Sequence, residues 1–336
     1  MRRRHGFPPR KGENHPCGEF VPTGKFGRMF PKLPAFTPSV ESLTDLGKAM
    51  SESTESPEGD NEKVPAGFTY LGQFVDHDIT FDTTALQEII VDPLAIRNFR
   101  TPMLDLDSIY GSGPDAQPYL YQLEDPDLFL IGTTNEQPGG GDPTIPTKLP
   151  NDIPRASSTL GIIGDPRNDE NLIVAQMHVA FLKFHNKVVQ GIRDGSIKLN
   201  HSTDKSVFEQ ARELVIWHYQ WIVLFDFLGR IIDREQLEIV LKGGRRFFLF
   251  KEQPFIPVEF SVAAYRLGHS MVRGVYDYNR VFTNVPREVE GRTIPAATLR
   301  LLFLFTAKSG ELGDFANIPI PSDWIIDCNT FAKLRG

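Results

Sequence analysis

The stretch from Asn168 to Gln190 constrains the fold of this chain more than any other. Its apolar residues Leu172, Val174, Ala175, Val179, Leu182, Val188 and Val189 recur at helical spacing, yet they cover much of the circumference. A helix that is apolar on most faces is stable only when other elements enclose it. The chain is long enough to do so: its 336 residues allow one large domain or two ordinary ones, at roughly 100–200 residues each. Asn168 or Asp169 is placed to cap the helix at its start.

Other segments extend this helical reading. Ser206 and Glu209 fit a capping box for a second helix through Leu214, Val215, Trp217, Trp221, Leu224 and Phe225, with Gly229 as its stop. A third helix is expected over Val258–Val272, and a short one over Val40–Met50. Pro65–Phe81 is apolar with polar residues set inside it, and reads as a short buried helix or a strand. Ser51–Lys63 reads as a solvated acidic loop, and Gly139–Pro143 as a loop tip within a mostly irregular stretch, 82–160. Residues 1–37 are rich in Pro, Gly and basic side chains and read as an extended arm, with the aromatics of Gly24–Pro31 able to pack on the body. The expectation is a mainly α protein with long loops and little β. The 28 Gly and 26 Pro fit the loops, and the 25 Phe suggest an aromatic interior.

Several partner classes are disfavoured. A formal charge of −7 argues against nucleic acid, which wants clustered positive charge. No apolar run reaches the ~18 residues of a membrane helix. The basic start, Met1 to Arg10, has no apolar region after it, so no secretory signal is expected. A cytoplasmic chain is the default expectation, with non-classical secretion left open. Cys17 and Cys328 form neither a disulfide framework nor a zinc spacing, and read as two free thiols. The sequence does not reveal an oligomeric state.

Four stretches carry candidate chemistry. Phe74-Val75-Asp76-His77-Asp78 puts three ionisable side chains inside an apolar segment, so they are paired, bound to a cation, at a site, or in a surface turn. Thr101 to Tyr110 offers oxygens at Thr101, Asp105 and Asp107 plus the Met103 carbonyl, a set that suits a hard cation but also an Asp-rich turn. Gly164-Asp165-Pro166-Arg167-Asn168-Asp169-Glu170 suits a helix start, except that a cation at Arg167 is unfavourable there and should face an anion or polarised ligand. In Tyr265-Arg266-Leu267-Gly268-His269, Arg266 and His269 share a helical face, and Gly268 permits close approach of something flat. His178, His185 and His218 compete with His269 as the functional imidazole on composition alone.

Together these stretches resemble the animal haem peroxidase family, within the peroxidase–cyclooxygenase superfamily, in a bacterial-type form. The resemblance runs from about Gly24 to the end. It rests on Gly72-Gln73-Phe74-Val75-Asp76-His77-Asp78-Ile79, Ser108-Ile109-Tyr110-Gly111-Ser112, Gly164 to Glu170 leading into Met177-His178 and His185-Asn186, and Tyr265 to His269, in the family's order. It implies a single helical domain over 38–336 after the arm. It implies haem b as cofactor, hydrogen peroxide as oxidant, and small organic donors or halide as substrates.

The resemblance also implies roles. His77 resembles the distal histidine, Arg167 the distal arginine, and Gln73 a residue near the distal water and halide site. His269 resembles the proximal ligand of the haem iron, and Arg266 the arginine one turn before it. Asp76 and Glu170 match the carboxylates that form ester links to haem. Asp78 matches a calcium ligand, with Thr101, Met103, Asp105 and Asp107 completing the shell. These residue types suit the chemistry. A neutral imidazole can move a proton between peroxide oxygens, and a fixed guanidinium stabilises developing negative charge.

There are departures from the family pattern. Asn171 stands where myeloperoxidase has a methionine, which excludes a sulfonium link to haem. Arg266 stands where cyclooxygenases carry a radical-forming tyrosine, with Tyr265 one place off. Family members continue beyond the Pro319–Asp327 region into a helical segment with no counterpart here, so a shortened chain is expected. Two alternative readings follow: a calcium-stabilised peroxidase-like scaffold without catalysis, and a fatty-acid dioxygenase of the same superfamily.

Overall fold

The computed structural model describes residues 24, 26–30, 32–34, 36–51, 61–82, 96–135, 145–156, 160–198, 204–245, 248, 254–289, 291–314 and 319–327. Both cysteines, the loop tip at Gly139–Pro143 and most of the arm and the acidic loop lie outside them. The helices in chain order are α1 (Val40–Ala49), α2 (Gly67–Ile79), α3 (Asp107–Tyr110), α4 (Leu172–Arg193), α5 (Val207–Trp221), α6 (Leu228–Ile231), α7 (Arg234–Gly243), α8 (Val258–Val262) and α9 (Leu299–Leu304). Strand is confined, among the described residues, to two small antiparallel pairs. β1 (Val275–Tyr276) pairs with β4 (Ala297–Thr298), and β2 (Arg287–Val289) with β3 (Arg292–Ile294). The protein is mainly α, as the sequence predicts.

The all-round apolar helix is α4, and it lies at the centre. Leu172, Ile173, Val174, Val179, Leu182, Val188 and Val189 are all buried. It packs on both α2 and α5. Phe181 of α4 is the hinge of this layer: its ring stacks on Phe74 of α2 at 5.1 Å and meets Tyr219 of α5 edge-on at 5.7 Å. Rings at such separations attract beyond their buried area. Pro65–Phe81, open between helix and strand in the sequence, is the helix α2, buried from Phe74 through Ile79.

Local signals and outcome agree at α5, where Ser206 and Glu209 form the expected capping box. Three expectations are corrected. The α4 cap is Asn171, whose carbonyl oxygen accepts from Val174 N at 3.0 Å, not Asn168 or Asp169, which lie in a 3-10 turn over Pro166–Asp169. Gly229 does not stop the second helix. α5 passes into a π-helical turn, Ile222–Phe227, and continues as α6 through exposed Gly229 to Ile231. The third helix is two pieces: α8, a break at Ala263, then a 3-10 run over Ala264–Met271. Tyr265 and Arg266, just after the break, are drawn to α2, the first bonding Gly72 O at 2.8 Å and the second pairing with Asp76.

The termini of the described chain join the same core. Phe26 is buried, and Gly27 exchanges backbone hydrogen bonds with Ile256 and Val258. At the other end Trp324 stacks on Phe282 at 3.6 Å and lies 4.9 Å from Phe305. One hydrophobic cluster takes in residues from Phe26 to Trp324. No helix among the described residues is long and apolar enough to cross a membrane.

Candidate active site

The site is built where α2 faces the loop that leads into α4. His77 points its two nitrogens at that loop. Nδ1 lies 2.8 Å from Asn168 Oδ1, and Nε2 lies 3.6 Å from Glu170 Oε2. Gln73, one turn earlier on α2, donates to the same Glu170 oxygen at 3.2 Å, while its own carbonyl accepts from Asn171 at 2.9 Å. Gln73, His77 and Glu170 therefore form one polar patch on the α2 surface. Burial, with help from Arg167, pushes His77 down to about 4, so the imidazole is neutral at pH 7. Burial pushes Glu170 up to about 7.

Arg167 lies beside this patch and is tightly held. Its Nε and Nη2 bind the two oxygens of Asp165 at 3.1 and 2.8 Å, and Nη2 also reaches the carbonyls of His77 and Thr80. The expected anion is thus Asp165, two residues away. Asp165 is gripped a second time by Arg100, at 2.6 Å. Burial alone would raise its pKa, but the two guanidiniums outweigh burial and hold it at about 2. Phe81 lies under both cations, 4.6 Å from Arg167 and 5.1 Å from Arg100. None of the described hydrogen bonds of Arg167 uses Nη1.

The 264–271 run packs against α2. Arg266 Nη1 pairs with Asp76 Oδ2 at 3.1 Å, and Tyr265 donates to Gly72 O. Burial raises the pKa of Asp76, opposed by Arg266, Arg167 and, more weakly, His269. His269 itself is exposed, with Nδ1 2.9 Å from the Arg266 carbonyl. A carbonyl only accepts, so Nδ1 carries the hydrogen, and in the neutral ring Nε2 then keeps its lone pair. That is the state an imidazole needs to ligate a metal. A Cβ added at Gly268 would meet no atom within 4 Å, so the backbone beside His269 is open. The donor set fits haem in kind: two imidazoles and two guanidiniums on elements that pack together, and carboxylates at Asp76 and Glu170.

The oxygen-rich loop lies against the other face of α2. Asp78, Asp105 and Asp107 are all buried. Burial and mutual repulsion raise the pKa of Asp78 and of Asp107. Asp78 accepts from the amides of Leu106 at 3.2 Å and Ser108 at 3.5 Å. Thr101 Oγ1 donates to Asp105 at 3.1 Å, and the carbonyl of exposed Met103 accepts from Gln220 at 3.2 Å. Leu104 and Leu106 both adopt left-handed backbone, φ 54° and 56°, a conformation that side-chained residues hold only when their surroundings enforce it. Among the described residues no group of three or more His, Cys, Asp or Glu is arranged to hold a metal ion.

The competing histidines are placed elsewhere. His185 is buried between Tyr110 Oη and the Asp127 carbonyl, each at 2.9 Å, and His218 bonds the Leu214 carbonyl. His178 joins the site indirectly, through Asn168 at 2.9 Å. Arg100 carries no local sequence signal of its contact with Asp165. Asp165 and Asn168 lie in a motif that also suits a helix start, and His178 is one of several competing histidines, so the links among them show only in the folded chain.

Comparison with known proteins bears on the family of the chain. A family profile described as animal haem peroxidase matches residues 87–308, a span that includes the 101–110 loop, Arg167 to Glu170, and Arg266 to His269, and begins after His77. Heme peroxidase 2 of Caenorhabditis elegans is 25% identical over 189 residues, covering 54% of this chain and 25% of that protein. Thyroid peroxidase of Canis lupus familiaris is 25% identical over 190 residues, covering 54% and 20%. A peroxidase-like protein of Margaritifera margaritifera is 32% identical over 118 residues, covering 34% and 14%. The chain thus spans a quarter or less of the length of these relatives. Among solved structures, peroxidase A from Dictyostelium discoideum superimposes with a TM-score of 0.52 at 15% identity, over 90% of this chain and 65% of that one. That likeness shows the fold. With a profile match over well over half its length, the chain belongs to the animal haem peroxidase family.

Proposed function

We propose that this protein is a haem peroxidase, which reduces hydrogen peroxide and oxidises small organic donors or halide, with residues 38–336 acting as one domain. The observation that carries the reading is the polar patch that Gln73 and His77 of α2 form with Glu170, set beside Arg167, on the helix against which the 264–271 run bearing His269 packs. In this reading His269 Nε2 would hold the haem iron, and Arg266 would help to bind the haem. When bound, the haem supplies the electrons and the metal centre on which peroxide is cleaved. The chain's own residues then handle protons and charge. Neutral His77 takes a proton from peroxide at Nε2 and returns it to the departing oxygen, a role worth roughly 10²–10⁴ in rate. Arg167 Nη1 stabilises the charge that develops there, and its mooring to Asp165 means no reorientation is needed. Gln73 orients water or halide beside Glu170.

Asp76 and Glu170 are the carboxylates we assign to ester links with haem. Calcium is the cation we assign to Asp78, Thr101, the Met103 carbonyl, Asp105 and Asp107. Its support is chemical: three buried carboxylates that repel one another, one of them 3.1 Å from the Thr101 hydroxyl, are oxygens of the kind a hard divalent ion takes. Bound there, it would pin the end of α2 that carries His77.

The test is haem reconstitution of the full chain, followed by its absorption spectrum and peroxidase rate. A Soret band and a rate that collapses in His77→Ala are expected. No haem uptake, or a rate indifferent to His77→Ala, would sink the reading.

A further inference from the structure

Behind His77 lies a second buried histidine, joined to it through one amide. Asn168 presents its carbonyl oxygen to His77 Nδ1 at 2.8 Å and its nitrogen to His178 Nδ1 at 2.9 Å. All three side chains are buried, at 3%, 0% and 1% exposure. An amide oxygen only accepts, and an amide nitrogen only donates. His77 Nδ1 must then carry a hydrogen, and His178 Nδ1 must lack one. The two imidazoles are held in opposite tautomers by the two ends of one side chain.

We propose that Asn168 is a positioning residue that fixes His77 as the Nδ1–H tautomer, with His178 taking the other end of the same amide. The consequence lies at the far side of the ring. With hydrogen on Nδ1, Nε2 keeps its lone pair, and Nε2 is the nitrogen on the Glu170 side of the ring. In the other tautomer, which a free imidazole side chain prefers in water, Nε2 is already protonated and cannot take a proton. Of the charged neighbours only Glu170 faces the ring, 3.6 Å from Nε2, and as a carboxylate it would favour hydrogen on that nitrogen, so the choice of Nδ1–H falls to the Asn168 carbonyl. Arg167 and Arg100 contact the His77 carbonyl rather than its ring, and Asp76 and Asp78 are engaged with Arg266 and with the Leu106 and Ser108 amides. His178 has no role of its own in the proposed reaction, and among the described residues its side chain bonds only Asn168, so the amide is what occupies it. The catalytic consequence rests on the peroxidase reading, whereas the tautomer assignment does not.

Histidine-selective 15N labelling of the full chain, with His77 and His178 assigned through single replacements, reads both tautomers at neutral pH. The expected result is Nδ1–H at His77 and Nε2–H at His178. Nε2–H at His77 overturns the proposal with no variant needed. In Asn168→Leu, similar in shape but without polar groups, the His77 signals should shift toward Nε2–H. The haem-loaded variant should lose about tenfold to a hundredfold in rate with haem affinity kept, part of a general base's usual contribution. His178→Phe should give a smaller shift of the same sign, and serves if Asn168→Leu does not fold. A rate or tautomer unchanged by these replacements counts against Asn168. A wild-type chain that takes up no haem counts against the peroxidase reading alone, and its His77 tautomer still decides the assignment to Asn168.

Discussion

The guanidinium of Arg167 is moored to the carboxylate of Asp165, two residues before it, through Nε and Nη2 at 3.1 and 2.8 Å. Arg100, at 9% exposure, holds the same carboxylate from the other side. Removing that charge leaves two cations facing each other, one of them buried. Asp165→Asn should cost about 3–5 kcal/mol, the range for breaking a buried ion pair from one side. Urea unfolding measures it. A loss under about 1 kcal/mol, the worth of a surface pair, would show that the mooring is not structural.

Glu170 titrates against the fold. Its pKa is raised from 4.5 to about 7, chiefly by burial. A raised carboxyl contributes stability that is complete below its unfolded pKa and is lost as pH rises through the folded one. Glu170→Gln, which cannot ionise, should gain on wild type as pH climbs from about 4.5 to 7. Melting temperatures at pH 4.5 and pH 8 decide it: the difference between variant and wild type should grow toward the alkaline side.

His185 works in the opposite sense. Burial lowers it to about 4, so its contribution is complete above 6.5 and is lost as pH falls through 4. One proton taken up only by the unfolded chain gives a slope of about 1.4 kcal/mol per pH unit. His185→Gln also loses the hydrogen bonds to Tyr110 and Asp127, lowering stability throughout. Its stability between pH 6 and 4.5 should nevertheless fall less steeply, by about that slope. Equal slopes would place the His185 pKa near its ordinary value.

Ester links make a separate prediction. Haem should stay with the wild-type chain through acid–acetone extraction after turnover with peroxide. Asp76→Ala and Glu170→Ala together should release it, and each alone should release part. Full release from the wild type would remove both links.

Calcium should raise the melting temperature of the protein. A ligand at 100 times its dissociation constant contributes about 2.7 kcal/mol. Asp107→Asn removes one of three buried carboxylates and should abolish the response to calcium, while raising stability in chelator by relieving repulsion. A wild-type melting curve indifferent to calcium and chelator would take the ion out of the reading.

What could be read from the sequence was what is local. The burial of α4 follows from its own pattern, and the capping box at Ser206 from two residues three apart. Of the motif residues, Gln73 and His77 lie against Glu170 with Arg167 beside them, and Asp76 pairs with Arg266. What could not be read depends on distant partners. Asn168 and Asp169 looked like caps, but Asn168 is taken by His77 and His178, and Asp169 by Arg155 at 2.8 Å. The cap passed to Asn171. The expected continuous helix over Val258–Val272 breaks because Tyr265 and Arg266 bond to α2, about 190 positions earlier. Arg100 has no motif at all, and only the folded chain brings it to Asp165.

The π-helical turn between α5 and α6 bears on the site from a distance. A π turn holds one more residue than the α turn it replaces, so everything beyond it is rotated by about 100°. In that rotated frame the Phe227 ring comes up against Gly72, where an added Cβ would sit 3.2 Å from it, and Arg230 lies 4.6 Å over the ring of Phe68. Both contacts fall on α2, the helix of His77. The turn thus acts as a phase shifter: one surplus residue in a remote helix sets which side chains brace the rod that carries the proposed base.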